Sequence, residues 1–90
     1  MTDHVFPVQA TVQVLYDVAA ERDRQDKKWG VQLHDPQWWL VILAEEVGEV
    51  ARAIFEADDA GVREDYRAEL VQVAAVAVAA IESLDAQESR

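Results

Sequence analysis

From Val73 to Ile81 the chain reads VAAVAVAAI, nine residues without a polar side chain. The residues around it have helical composition, and a helix that is apolar on every side is a buried helix. In a chain of 90 residues, two companion helices can hardly surround it, but a second copy of the chain can. This segment therefore predicts an all-α, three-helix chain that forms a dimer or tetramer with this helix at its centre; a loosely packed monomeric three-helix bundle is the alternative. The homodimer or homotetramer would form through helix 3. The run is also too short to span a bilayer, which takes about twenty residues.

Two further helices follow from local signals. The first is expected over about residues 8–28. There Val12, Leu15, Tyr16 and Ala19 give the i, i+3, i+4, i+7 stripe of a core-facing helix, and Gly30 suits its C-terminal cap. In HDPQWW, Asp35 is a good N-cap and Pro36 fits the first helical position, so the second helix should run over about 36–57. DDAG then reads as a turn, the third helix as about 62–84, and DAQESR as a frayed tail. The whole of 1–90 reads as one domain.

Composition narrows the function classes. There is no cysteine, which removes disulfide scaffolds and thiolate zinc sites. No basic segment followed by an apolar run opens the chain, so a cytoplasmic protein without a membrane partner is expected. Acidic residues outnumber basic ones 18 to 8, for a net charge of −10. A nucleic acid polymer is then a poor partner, because its affinity comes largely from lysine and arginine on phosphates. A smaller phosphate ligand remains compatible if divalent cations lie between the two negative partners. Half of the cations, Arg22, Arg24, Lys27 and Lys28, cluster in RDRQDKK. At the end of helix 1 the helix dipole alone would favour them.

The carboxylates of ILAEEVGEVARAI, residues 42–54, divide on a helical wheel. Glu45, Glu49 and Glu56 share a side with Arg52 and read as a solvated stripe. Glu46 instead has Trp39, Ile42, Leu43, Val50 and Ala53 as wheel neighbours, where an unpaired carboxylate is costly. Glu69 shares the stripe of Tyr66, Val73, Val76 and Ala80 on helix 3. Either a buried salt bridge or a shared metal ion would explain both. Facing helices that present carboxylates at this spacing build metal sites, and oxygen-only ligation favours Mg2+, with Mn2+ as the alternative.

LAEEVGEV together with YRAELVQVAAVAVAAIESL resembles the MazG-like all-α nucleoside triphosphate pyrophosphohydrolases. The hallmark of that superfamily is E-E-x-x-E on one helix and E-x-x-D on the next. LHDPQWWLVILAEEVGEV is also similar to the corresponding segment of the dCTP pyrophosphatase branch. The resemblance covers about residues 21–84 and implies a four-helix-bundle-type core that this three-helix chain completes through oligomerisation. It implies a metal set of Glu45, Glu46, Glu49 and Glu69. The chain departs from the pattern at Gln72, which stands where the family has aspartate and would be a neutral ligand or a water holder.

The activity implied is hydrolysis of a nucleoside triphosphate to the monophosphate and pyrophosphate. Glu46, Glu49 and Glu69 would hold magnesium, and Glu45 would orient or deprotonate a water. Arg24 and Lys28 would meet the outer phosphates and Gln25 the base or ribose, while Trp29, His34 and Trp38 would line the base site. Two other readings stand beside this one: a non-catalytic nucleotide- or metal-binding helical dimerisation module of the same fold, and a purely structural helical dimer.

Overall fold

The computed structural model describes residues 6–56 and 62–88. Those residues form three helices, α1 (Val8–Trp29), α2 (Pro36–Glu56) and α3 (Val62–Glu88), with no strand among them. The expected DDAG turn and the last residue of the expected second helix lie outside the described residues. The tail expected to fray is different: α3 continues through Glu88, four residues past the expected end at Leu84. Asp85, Ala86, Gln87 and Glu88 contain neither glycine nor proline, so nothing local stops the helix.

The α1–α2 corner follows its local chemistry. Gly30 closes α1 at φ 75°, a left-handed value that L side chains avoid, and its N–H donates to the Asp26 carbonyl at 2.8 Å. Five residues later Asp35 starts α2. Its Oδ1 accepts the Trp38 N–H at 3.0 Å, the third-position bond of an N-cap, and Pro36 takes the place where no N–H is needed.

α3 lies in the middle. It packs against both α1 and α2, whereas α1 and α2 do not pack on each other. The core is small: Trp39 of α2 against Val76 and Ala79 of α3, with Ile42, Leu43 and Ala80 at its margin. Of the VAAVAVAAI segment only Ala75, Val76 and Ala79 are buried, and Ile81 is 58% exposed. Its apolar circumference is thus covered on two sides by this chain and remains open elsewhere.

The docking face of α1 differs from the expected one. Val12, Leu15 and Tyr16, read from the sequence as core-facing, are 44%, 60% and 69% exposed, and Ala19 is exposed as well. The line that meets α3 is mostly polar. Val18 and Gln25 are buried on it. Asp17 Oδ2 accepts from Arg67 Nη2 at 2.6 Å, Glu82 Oε1 from Arg22 Nη2 at 2.7 Å, and Gln72 Oε1 from Gln25 Nε2 at 3.3 Å. The apolar stripe was a sound sign of a helix but a wrong guide to its partner. Long polar side chains can satisfy one another across a helix pair and so compete with an apolar contact.

Candidate functional site

Because α1 and α2 stand apart on either side of α3, a groove runs between them with α3 as its floor. Its volume, about 350 Å³, is within the size range of small-molecule sites, although the groove is open to solvent along one side. One wall is Arg22, Gln25, Asp26 and Trp29 of α1, and the other is Trp39, Ile42 and Glu46 of α2. Gln72, Val76, Ala79, Glu82 and Ser83 come from α3.

Four glutamates mark the acidic stretch of these helices, Glu45, Glu46 and Glu49 on α2 and Glu69 on α3. Glu46 and Glu69 are half-buried, as is Glu49, while Glu45 is exposed. Glu46 lines the groove; Glu49 and Glu69 line a neighbouring depression with Arg52 and Asp65. Burial pushes the Glu46 carboxyl above its ordinary value, and the like charges of Glu69, Glu49, Glu45 and Glu21 push it the same way. The wheel argument that set Glu46 apart therefore corresponds to a physical strain on its charge. Nevertheless, among the described residues no three histidine, aspartate or glutamate side chains stand as a group that could hold a metal ion. The carboxylates are near enough to repel one another, and they do not form a ready cage.

Gln72 is committed elsewhere. Its Oε1 accepts from Gln25, and its side chain also hydrogen-bonds Glu21. With its oxygen taken by Gln25, the amide has its NH₂ left for that carboxylate. Glu21 is held below its ordinary value first by the hydrogen bond from Arg24, then by those from Gln72 and Gln25, against the opposing effect of burial. Gln25 also accepts from Arg22 Nη1 at 3.1 Å. So Glu21, Gln72, Gln25 and Arg22 form one continuous chain of hydrogen bonds across the α1–α3 contact.

The proposed substrate contacts divide. Gln25 and Trp29 line the groove. Arg24 and Lys28 do not: Arg24 is bidentate on Glu21, at 2.9 and 2.6 Å, and the Lys28 ammonium sits 4.8 Å over the Trp29 ring. His34 packs its ring edge-on against Trp39 and Trp38, at 5.1 and 6.2 Å between centroids. Trp38 itself is 53% exposed and lines a separate surface hollow with Leu33, Gln37 and Val41. Its neighbour Trp39, 8% exposed, lines the groove as Trp29 does.

Sequence reasoning passed over Ser83, Glu21 and Trp39 as site residues. Ser83 is 2% exposed, and its Oγ accepts the His34 N–H at 3.2 Å, while Gln87 Nε2 donates to the His34 carbonyl at 3.0 Å. Together they tie the α1–α2 loop to α3. The available signal was a serine on the stripe of Val76 and Ala79, where a lone hydroxyl needs a partner. Glu21 had a signal too, since it lies four residues before Gln25 on one helix side.

No protein-family model, curated protein or solved structure matches this chain.

Proposed function

We propose that the protein is a magnesium-dependent nucleoside triphosphate pyrophosphohydrolase of the MazG-like kind. The observation that carries this reading is Glu46: a groove-lining, half-buried carboxylate whose charge is opposed by four other glutamates on three helices. A divalent cation is the ligand chemistry that relieves such a set, and oxygen-only donors suit Mg2+ or Mn2+. Glu46, Glu49 and Glu69 would hold it. When bound it would neutralise phosphate charge and acidify a water. Glu45, exposed on the same helix, would orient or deprotonate that water. Trp29 and Trp39 would wall a base and sugar in the groove, while the Gln25 amide there is already engaged by Arg22, Gln72 and Glu21.

The competing reading, a non-catalytic nucleotide- or metal-binding module, is favoured by Gln72. Where the resembled family has a charged ligand, this chain has an amide tied to Gln25 and Glu21. The two readings part in one assay. The purified protein is incubated with a panel of ribo- and deoxynucleoside triphosphates and magnesium, and pyrophosphate release is measured. Release from at least one nucleotide, abolished by Glu46→Gln, supports the enzyme. Metal or nucleotide binding without release from any of them selects the module.

Assembly belongs to the same proposal. The α2–α3 pair carries an apolar slot of about 400 Å³, lined by Leu40, Leu43, Ala77, Ala80, Ile81 and Leu84. Two copies facing each other through this slot would make a four-helix bundle with α3 at its centre. Among the described residues no helix is long and apolar enough to cross a membrane.

A further inference from the structure

The groove has two unlike ends. The α1–α2 loop closes one of them, where Gly30, Val31, Gln32 and Leu33 line it. Trp39 stands at that end, its ring centroid 5.1 Å from that of His34 in the loop. Glu46 lies about two helical turns further along α2, roughly 10 Å away. A nucleotide whose phosphates meet a cation at Glu46 therefore has its base directed at the loop.

Most polar side chains in the groove are already engaged. Arg22 donates to Glu82, Asp26 and Gln25. Gln25 and Gln72 bond each other, and Ser83 bonds the backbone of His34. The Trp39 Nε1 has no partner, but it is sealed from solvent and so from a ligand. Gln32 differs: it is exposed, and among the described residues its amide has no hydrogen-bond partner. The loop that carries it is nonetheless fixed. From Val31 to His34 no backbone group bonds another described backbone group outside the helices, and α3 holds the loop instead. Ser83 Oγ accepts the His34 N–H at 3.2 Å, and Gln87 Nε2 donates to the His34 carbonyl and to Ser83 Oγ, each at 3.0 Å. Both polar backbone groups of His34, two residues from Gln32, are thus tied down.

We infer that Gln32 is the residue that recognises the base, and that Ser83 and Gln87 position it by clamping the loop. A glutamine amide carries an acceptor and donors side by side, which is the pattern a base edge pairs with. The amide can present its two ends in either order, so it takes amino and keto bases alike. What it selects is a nucleotide over a bare polyphosphate, which has no such edge. A fixed loop matters because an amide already held at the end of the groove loses less freedom on binding.

The inference rests on the nucleotide-hydrolase reading above, and a binding experiment separates the two. α,β-Methylene analogues of the nucleoside triphosphates, which resist cleavage at that position, and inorganic tripolyphosphate are titrated calorimetrically into the full chain with magnesium. Gln32→Ala alters one exposed residue and should leave the helical circular dichroism unchanged. It should weaken the best-bound analogue about tenfold and leave tripolyphosphate affinity as in wild type. Gln87→Ala should weaken the same analogue by a smaller factor. Added to Gln32→Ala it should cost nothing more, because the loop then has no amide to position. A Gln32→Ala variant that binds every analogue as wild type does overturns the inference and leaves the nucleotide reading standing, as does an equal loss for tripolyphosphate. Additive losses at Gln32 and Gln87 overturn the positioning role. A wild type that binds no analogue overturns both readings.

Discussion

Glu46→Gln removes a carboxylate that four others oppose, and its effect on stability should change sign with magnesium. Without metal, a carboxyl whose pKa is higher in the folded than in the unfolded chain binds its proton longer in the fold. Stability then falls as pH rises from the ordinary value of 4.5 through the raised folded value, and stays lower above it. The glutamine variant has no such loss, so at pH 7 it should melt above wild type. Glu46 is only half-buried, so solvent screening limits the gain to roughly 0.5 kcal/mol. That corresponds to about 2–4 °C for a domain of this size. With magnesium at a hundred times its Kd, wild type should gain about 2.7 kcal/mol by mass action, or roughly 10–20 °C. The variant should gain little, so the two melting curves exchange order. The assay is thermal unfolding at pH 5, 6, 7 and 8, with and without magnesium, at fixed chain concentration because assembly also shifts Tm. Equal magnesium shifts in both proteins would refute the metal argument. A metal-free variant less stable than wild type at pH 7 would refute the electrostatic one.

Other substitutions test the scaffold and the network around the groove. Ser83→Ala leaves the His34 N–H without its acceptor and should cost about 1–2 kcal/mol by denaturant unfolding; an unchanged midpoint would mean that the loop is held by other contacts. At Gly48, inside α2, an added Cβ meets nothing within 4 Å. Gly48→Ala should therefore stabilise by about 0.5–1 kcal/mol, and a loss would show that this side of α2 is covered in the assembly. Gln72→Asp replaces the amide that hydrogen-bonds Glu21 with a like charge. Without metal it should lower stability at pH 7 and lose that penalty as pH falls toward 4, where the carboxyls protonate; a pH-independent change would point to packing instead.

The helices and the corner between α1 and α2 were legible locally. Asp35, Pro36 and Gly30 each carry a backbone preference that operates within a few residues, and the structure uses all three as expected. The position of Glu46 was legible as well. A helical wheel fixes which side chains share a side, so a carboxylate among Trp39, Ile42 and Leu43 had to lie beside the core. The far end of α3 was misjudged because a polar composition does not by itself end a helix.

Contacts between elements were not legible in the same way. Periodicity ranks the sides of a helix by hydrophobicity but does not say which side another helix will meet. On α1 the apolar stripe of Val12, Leu15 and Tyr16 stayed outside. Asp17, Arg22 and Gln25 docked it instead, each finding a partner fifty or so residues away on α3. Gln72 looked like a weakened ligand because the resemblance assigned it that place, and only the packed helices show its amide taken by Gln25 and Glu21. Likewise Trp38 and Trp39 are adjacent in sequence, but one residue step along the helix separates their directions by about 100°. The approach of α3 decided that Trp39 entered the core and the groove. Local backbone preferences could name the helices. Which polar groups satisfy one another across them is settled only when all three are packed together.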